Sequence, residues 1–127
     1  FRPSAEQPTA ELPFVLVTGR QLHHFNAATM TDRTRNRELR ANDLVQLHPD
    51  DAARVGVGEG ERIRVRSRHG SFEGRATLTH DVRPGELFAT FHNVAAMINR
   101  ATGVGFDPPT RTPEFKVTAV TVERLER

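Results

Sequence analysis

The chain has no cysteine in its 127 residues, which excludes disulfides, thiolate metal sites and a thiol nucleophile outright. Packing and hydrogen bonds must hold it together. It has almost no lysine either, because Lys116 is the single lysine among 18 basic residues. The pI of about 10.3 at a formal net charge of only +2 therefore reflects the high pKa of arginine and not a large positive field. Long apolar runs are also missing. No window approaches the ~20 apolar residues of a membrane-spanning helix, and the chain does not open with a basic region followed by an apolar stretch, as a signal peptide would. With no sign of export, the expected location is cytoplasmic. The first residue is Phe1 and not methionine, so we expect a processed chain or a piece of a longer one.

The composition that remains, 36% hydrophobic and 27% charged, suits one soluble globular domain with a real core. Residues 1–13 carry Pro3, Pro8 and Pro13 with little apolar periodicity and read as an extended linker, leaving 14–127 as the domain. FVLV at 14–17 is a buried strand bounded by Pro13 and Gly19. Residues 31–43, with four arginines, read as a mobile loop. Leu44, Val45 and Leu47 form a strand, and Pro49, Asp50 and Asp51 open a short helix that Gly56 closes. After turn glycines at 58 and 60, ERIRVRS alternates so that Ile63 and Val65 face in while Arg62, Arg64 and Arg66 face out. A hairpin at 68–70 returns a strand with Phe72, Ala76 and Leu78 inward, and another strand covers 86–91. Val94, Met97, Ile98 and Ala101 sit at helical spacing, which predicts a short helix over 93–102. The last strand, KVTAVTVERL, slips its apolar parity between Ala119 and Val120, as a bulge or burial on both faces would require. Six or so short strands and two short helices predict a closed β-barrel.

Candidate chemistry is thin when read by spacing. The histidines at 23, 24, 48, 69, 80 and 92 never fall at HxH or HxxxH spacing, and adjacent His23 and His24 on a strand end would point opposite ways, so no metal site is expected. GVGEG at 56–60 lacks the Lys-Ser/Thr of a phosphate loop and precedes a strand. Arg62, Arg64, Arg66, Arg68 and Arg75, with Phe72 as a stacking ring, could support a free-standing barrel that binds nucleic acid or a protein. With acidic residues interleaved, a solvated sheet face is the simpler reading, and no nucleic-acid partner is expected. The Gly70-Ser71 pair is similar to the self-cleaving site of small pyruvoyl-dependent aspartate decarboxylases, also six-stranded barrels, with no further motif in common.

Four blocks in order, FVLVTGRQLHHFNAATMT, the HPDDAARV to GELF stretch, FHNVAAMINRAT and PEFKVTAVTVE, resemble the C-terminal molybdopterin-dinucleotide-binding domain of the dimethyl sulfoxide reductase superfamily, with formate dehydrogenases and nitrate reductases nearest in flavour. The resemblance implies a mainly β fold, a six-stranded double-psi β-barrel with one or two short helices. It implies bis(molybdopterin guanine dinucleotide) as cofactor, with molybdenum or tungsten ligated outside this chain. The family's TGR loop falls on Thr18, Gly19, Arg20, Gln21, Leu22, His23 and His24, its M-T-x-R segment on Met30, Thr31 and Arg33, and its helix asparagine and PEFK lysine on Asn99 and Lys116. His92 falls near the family's substrate funnel. Gly19 would let the backbone approach the pterin, Arg20 would grip phosphate or a pterin carbonyl, and Thr18, Asn99 and Lys116 would give directed hydrogen bonds. Where relatives read H-W-H-T, this chain has His24, Phe25, Asn26 and Ala27. The implied partners are the remaining domains or large subunit of an oxidoreductase, most plainly of formate dehydrogenase type. The isolated chain is expected to be a monomer without catalytic activity.

Overall fold

The computed structural model describes residues 4–39, 44–93 and 95–126. Val94 and residues 40–43, to which the helix and loop readings above extend, lie outside them. Six strands close into a barrel: β1 (Phe14–Gly19), β2 (Leu44–Leu47), β3 (Arg62–Arg66), β4 (Ser71–Leu78), β5 (Glu86–Thr90) and β6 (Thr118–Arg124), in the order β1-β5-β2-β4-β3-β6. Two parallel pairs, β1 with β5 and β2 with β4, interrupt the antiparallel ladders. The closed barrel predicted from the strand pattern is formed, as the double-psi barrel that the resemblance implies.

Alternation drives closure. Phe14, Leu16, Val45, Leu47, Ile63, Val65, Phe72, Ala76, Leu87 and Val120 all turn inward and are buried. Removing each Leu, Ile or Phe side chain from water is worth roughly 1.5–3 kcal/mol. The parity slip in β6 is burial on both faces: Thr118, Ala119 and Val120 are consecutive and all buried. β6 pairs β1 through 118–120 and β3 through 121–124, so the Ala119 amide faces a gap that β3 does not reach. The lead-in segment fills it, with Glu6 accepting the Ala119 N–H at 3.2 Å and Leu12 buried beneath.

Helix α1 (Pro49–Val55) is fixed by local chemistry. Pro49 stands at its first position, His48 caps it by accepting the Asp50 N–H through Nδ1 at 3.3 Å, and Gly56 takes the left-handed conformation at φ 69° that ends it. The helix expected over 93–102 is not formed. Among the described residues that segment holds turns and one 3-10 turn at Ile98–Arg100, because Met97 at φ 50° breaks the helical path. Ile98 and Ala101 are buried as their spacing predicted, but they reach the core from a loop. The segment read as mobile carries two 3-10 turns, Thr31–Arg33 and Arg35–Glu38. No helix among the described residues is long and apolar enough to cross a membrane.

Strand registers decide where the long connections emerge. Gly19 lies beside Thr90, Leu16 beside Thr118 and Val45 beside Ala89. The 20–43 loop and the 91–117 loop therefore leave and re-enter at the same end of the barrel, joined there by the 67–70 hairpin. α1 and the 79–85 turn occupy the other end.

Candidate functional site

All the residues assigned to the cofactor by the resemblance come from this loop-bearing end. Thr18, buried at the end of β1, donates from Oγ1 to the Phe115 carbonyl at 2.8 Å, and Lys116 Nζ donates back to the Thr18 carbonyl at 3.1 Å. The two bonds tie the TGR turn to the PEFK segment across nearly 100 positions of sequence. Lys116 also sits 5.2 Å from the Phe91 ring centre. Its charge is thus anchored at the rim, with Thr18 serving the same clasp. Gly19 has a nearer reason than ligand approach: a Cβ there would stand 2.6 Å from the Phe88 ring, so glycine lets the turn pack on β5.

Beyond the turn, several buried polar atoms have no hydrogen-bond partner among the described residues. Gln21 is buried with Oε1 unpaired, and its carbonyl accepts the His24 N–H at 3.1 Å. His24 is buried and His23 exposed, but both lie in the turns past β1, which ends at Gly19, and not on a strand end. The His24 ring stacks on His92 at 4.5 Å and 19°. Its Nδ1 is 3.0 Å from Thr31 Oγ1, while Nε2 has no partner among the described residues. His92 is 5% exposed, and neither ring nitrogen has a partner among the described residues. Burial first, and then the His24 ring, hold the His92 imidazole below its usual range against the opposing influence of Asp32. A neutral imidazole offers one donor and one acceptor, so His92 presents both.

Two cavities border this cluster. One, about 340 Å³, is lined by Ala28, Asp32, Arg33, His92, Asn93 and Ala95 among others. A smaller one, about 100 Å³, is lined by Arg20, Gln21, Leu22 and, across β2 and β5, Gln46 and Phe88. The Arg20 guanidinium lies 5.3 Å from the Phe25 ring centre and is exposed, as is Arg33. Leu22 and Met30 are exposed apolar side chains. His23 takes part through its carbonyl, which accepts from Asn36 Nδ2 at 3.0 Å. Asn99 is exposed on the 3-10 turn and lines neither cavity.

Sequence reasoning missed Ala28, Asp32, Asn93 and Phe88. Asn93 carried a readable signal, an asparagine just past a strand end, and its Oδ1 accepts the Ala95 N–H at 2.9 Å. Nothing in the residue type marks Ala28, which is buried at φ 57°. No group of three or more potential metal ligands occurs among the described residues. An arrangement of exposed guanidiniums beside buried, unpaired imidazole and amide atoms can bind a polar anionic ring compound.

A family model described as the molydopterin dinucleotide binding domain matches residues 14–119. The F420-dependent formate dehydrogenase subunit alpha of Methanocaldococcus jannaschii is 36% identical over 126 residues, which is 98% of this chain and 19% of that protein. F420-dependent formate dehydrogenase 2 subunit alpha of Methanococcus maripaludis is 35% identical over 117 residues, 91% of this chain and 17% of that protein. The chain thus spans about a fifth of the length of these relatives. Among solved structures, acetylene hydratase from Pelobacter acetylenicus matches with a TM-score of 0.78 over 91% of this chain and 19% of its own, at 16% identity, a likeness of fold alone.

Proposed function

The chain belongs to the molydopterin dinucleotide binding domain family, and from that premise we propose that its loop-bearing end holds bis(molybdopterin guanine dinucleotide) inside an oxidoreductase of formate dehydrogenase type. The observation that carries this reading is the convergence, at that one end, of unpaired buried Gln21 Oε1, His24 Nε2 and both His92 nitrogens with the exposed guanidiniums of Arg20 and Arg33. Buried polar atoms without partners cost about 1–3 kcal/mol each, and a polar ring ligand would relieve that cost.

Each side chain has a definable part in this proposal. Arg20 and Arg33 pair with phosphate or a ring carbonyl through their planar forks. Gln21 accepts a ring N–H, and His92, neutral because it is buried, donates and accepts at once. Thr31 orients His24 through Nδ1, leaving Nε2 for the ligand. Thr18 and Lys116 position the turn and do not bind. Leu22, Phe25 and Met30 exclude water from above. Gln46 and Phe88 wall the inner cavity, and Asn99 falls outside the contact set. When bound, the cofactor supplies two-electron transfer at molybdenum or tungsten, and this domain supplies binding and orientation. The relatives' names favour formate as substrate of the whole enzyme.

The test uses the full-length enzyme with Arg20→Gln, an exposed position where folding is not at stake. Molybdenum, tungsten and acid-released guanine nucleotide are measured per mole of purified protein. All should fall severalfold together; content equal to the parent's would remove Arg20 from the site and the reading with it.

A further inference from the structure

A broad groove lies on the outer face of β3 and β4 and reaches the 91–117 loop at that end. About 810 Å³ in volume, it is lined by Arg62, Arg64, Arg66, Arg75 and Arg100, with Glu73 and Glu123 between them. Five guanidiniums face two carboxylates there, a local excess larger than the net +2 of the entire chain. Arg62 and Arg64 share Glu73, each through one nitrogen at 2.8 Å, and Arg66 reaches Glu123 through Nε at 3.1 Å. A guanidinium has five N–H donors, so each of these three keeps most of its fork for another acceptor. The groove runs to Asn93 and Ala95, which also line the 340 Å³ cavity. None of the residues assigned to the cofactor lines it.

We propose that this groove is a docking surface for an extended acidic polypeptide segment belonging to the surrounding enzyme. Arg62, Arg64 and Arg66 alternate along one strand face, about 7 Å apart. That is also the repeat at which an extended segment presents carboxylates from every second residue, and guanidinium and carboxylate then meet in bidentate pairs. Nucleic acid fits the groove less well. Phe72, its only aromatic lining residue, is 5% exposed and belongs to the core, so no ring face is free for base stacking. Relatives five times as long as this chain have ample length from which such a segment could come. The proposal does not rest on cofactor binding.

A fluorescent peptide of about twelve residues with glutamate at every second position is titrated against the 127-residue chain at about 0.15 M salt, followed by anisotropy. An oligothymidylate of equal charge is titrated in parallel. The parent should bind the peptide more tightly than the oligothymidylate. Arg64→Gln with Arg66→Gln should weaken peptide binding at least about tenfold, whereas Arg37→Gln, exposed on the other loop, should not. Thermal unfolding of both variants shows that the fold is kept. Absence of peptide binding, equal binding by the groove variant, or tighter oligothymidylate binding that the groove variant abolishes would each overturn the proposal, the last in favour of nucleic acid.

Discussion

At the α1 end of the barrel, buried Asp51 accepts the Gly85 amide and pairs with Arg54 at 3.0 Å. Beside it, Glu59 takes the Leu78 N–H and Glu61 takes the Gly58 N–H. At the opposite end, all five buried side-chain atoms left without partners among the described residues are found, on Gln21, His24, His92 and Thr118. The eight exposed large hydrophobic residues among those described, from Leu22 to Phe115, all fall in the two long loops there. So do the four non-glycine residues with positive φ, Asn26, Ala28, Met97 and Arg111, each of which costs of order 1 kcal/mol or more. One end satisfies itself, while the other keeps strain, unmet hydrogen bonds and apolar surface that only further contacts can offset. Internal satisfaction and unmet contact capacity are thus segregated along the barrel axis.

Three experiments bear on that division, beginning with the largest effect. Asp51→Ala strips the Gly85 amide and Arg54 of their buried carboxylate, and should lower the unfolding free energy by about 2–3 kcal/mol in urea titrations. Cofactor content in the assembled enzyme should be unchanged once folding is restored by lower temperature. A loss near zero would mean the α1 end is not self-sufficient.

Glu6→Gln comes next, at about 1 kcal/mol, and its signature is in pH. Burial raises the Glu6 carboxyl, but the His69 hydrogen bond, the Ala119 amide and the charges of Arg68 and His69 outweigh it and hold it below the usual 4.5. A lowered folded value means that this stability is complete above the unfolded carboxylate value and is lost as pH falls through the folded one. Urea midpoints taken between neutral and strongly acid pH should therefore lose part of their acid limb in the variant. Parallel curves would separate Glu6 from acid stability.

The smallest stability effect is expected from His92→Leu, within about 1 kcal/mol of the parent, because it removes two unpaired nitrogens along with the ring. His92 is held below the usual 6.5, so the parent's contribution from neutral burial is complete above that value and fades as pH drops through the lowered one. The variant should lack this mild fall below pH 6.5 while losing cofactor from the full enzyme. A large destabilisation at pH 7 would make His92 an ordinary core residue and erase the contrast with Asp51.

Much of the barrel could be read from residue order, because period-two alternation survives in short strands: Ile63 and Val65 against Arg62, Arg64 and Arg66 needs no tertiary information. The segment over 93–102 was misread because spacing of apolar residues records burial and not the path between them. Met97 at φ 50° leaves no mark in residue type, nor does Ala28. The residues carried over by motif do gather at one end of the barrel, yet the local partners of two of them were not legible. Thr18 and Lys116 form a clasp whose acceptors, the Phe115 carbonyl for Thr18 and the Thr18 carbonyl for Lys116, lie nearly 100 positions away. The His24–His92 stack joins residues 68 positions apart and depends on the parallel pairing of β1 with β5, which no local pattern encodes. His48 as helix cap was missed too, since proline alone had seemed to explain where α1 begins.

The hydrogen bond from Ala119 to Glu6 bears on where a working piece of this protein can be cut. The family match begins at residue 14, but the seam between β3 and β6 is sealed by a side chain eight positions earlier. The same carboxylate holds His69 at 2.9 Å on the hairpin that packs under residue 103. An excision at the boundary drawn by similarity would open a slot in the wall of the barrel and release that hairpin. The strand of residues that looks like a tether is the plug of the vessel it leads to.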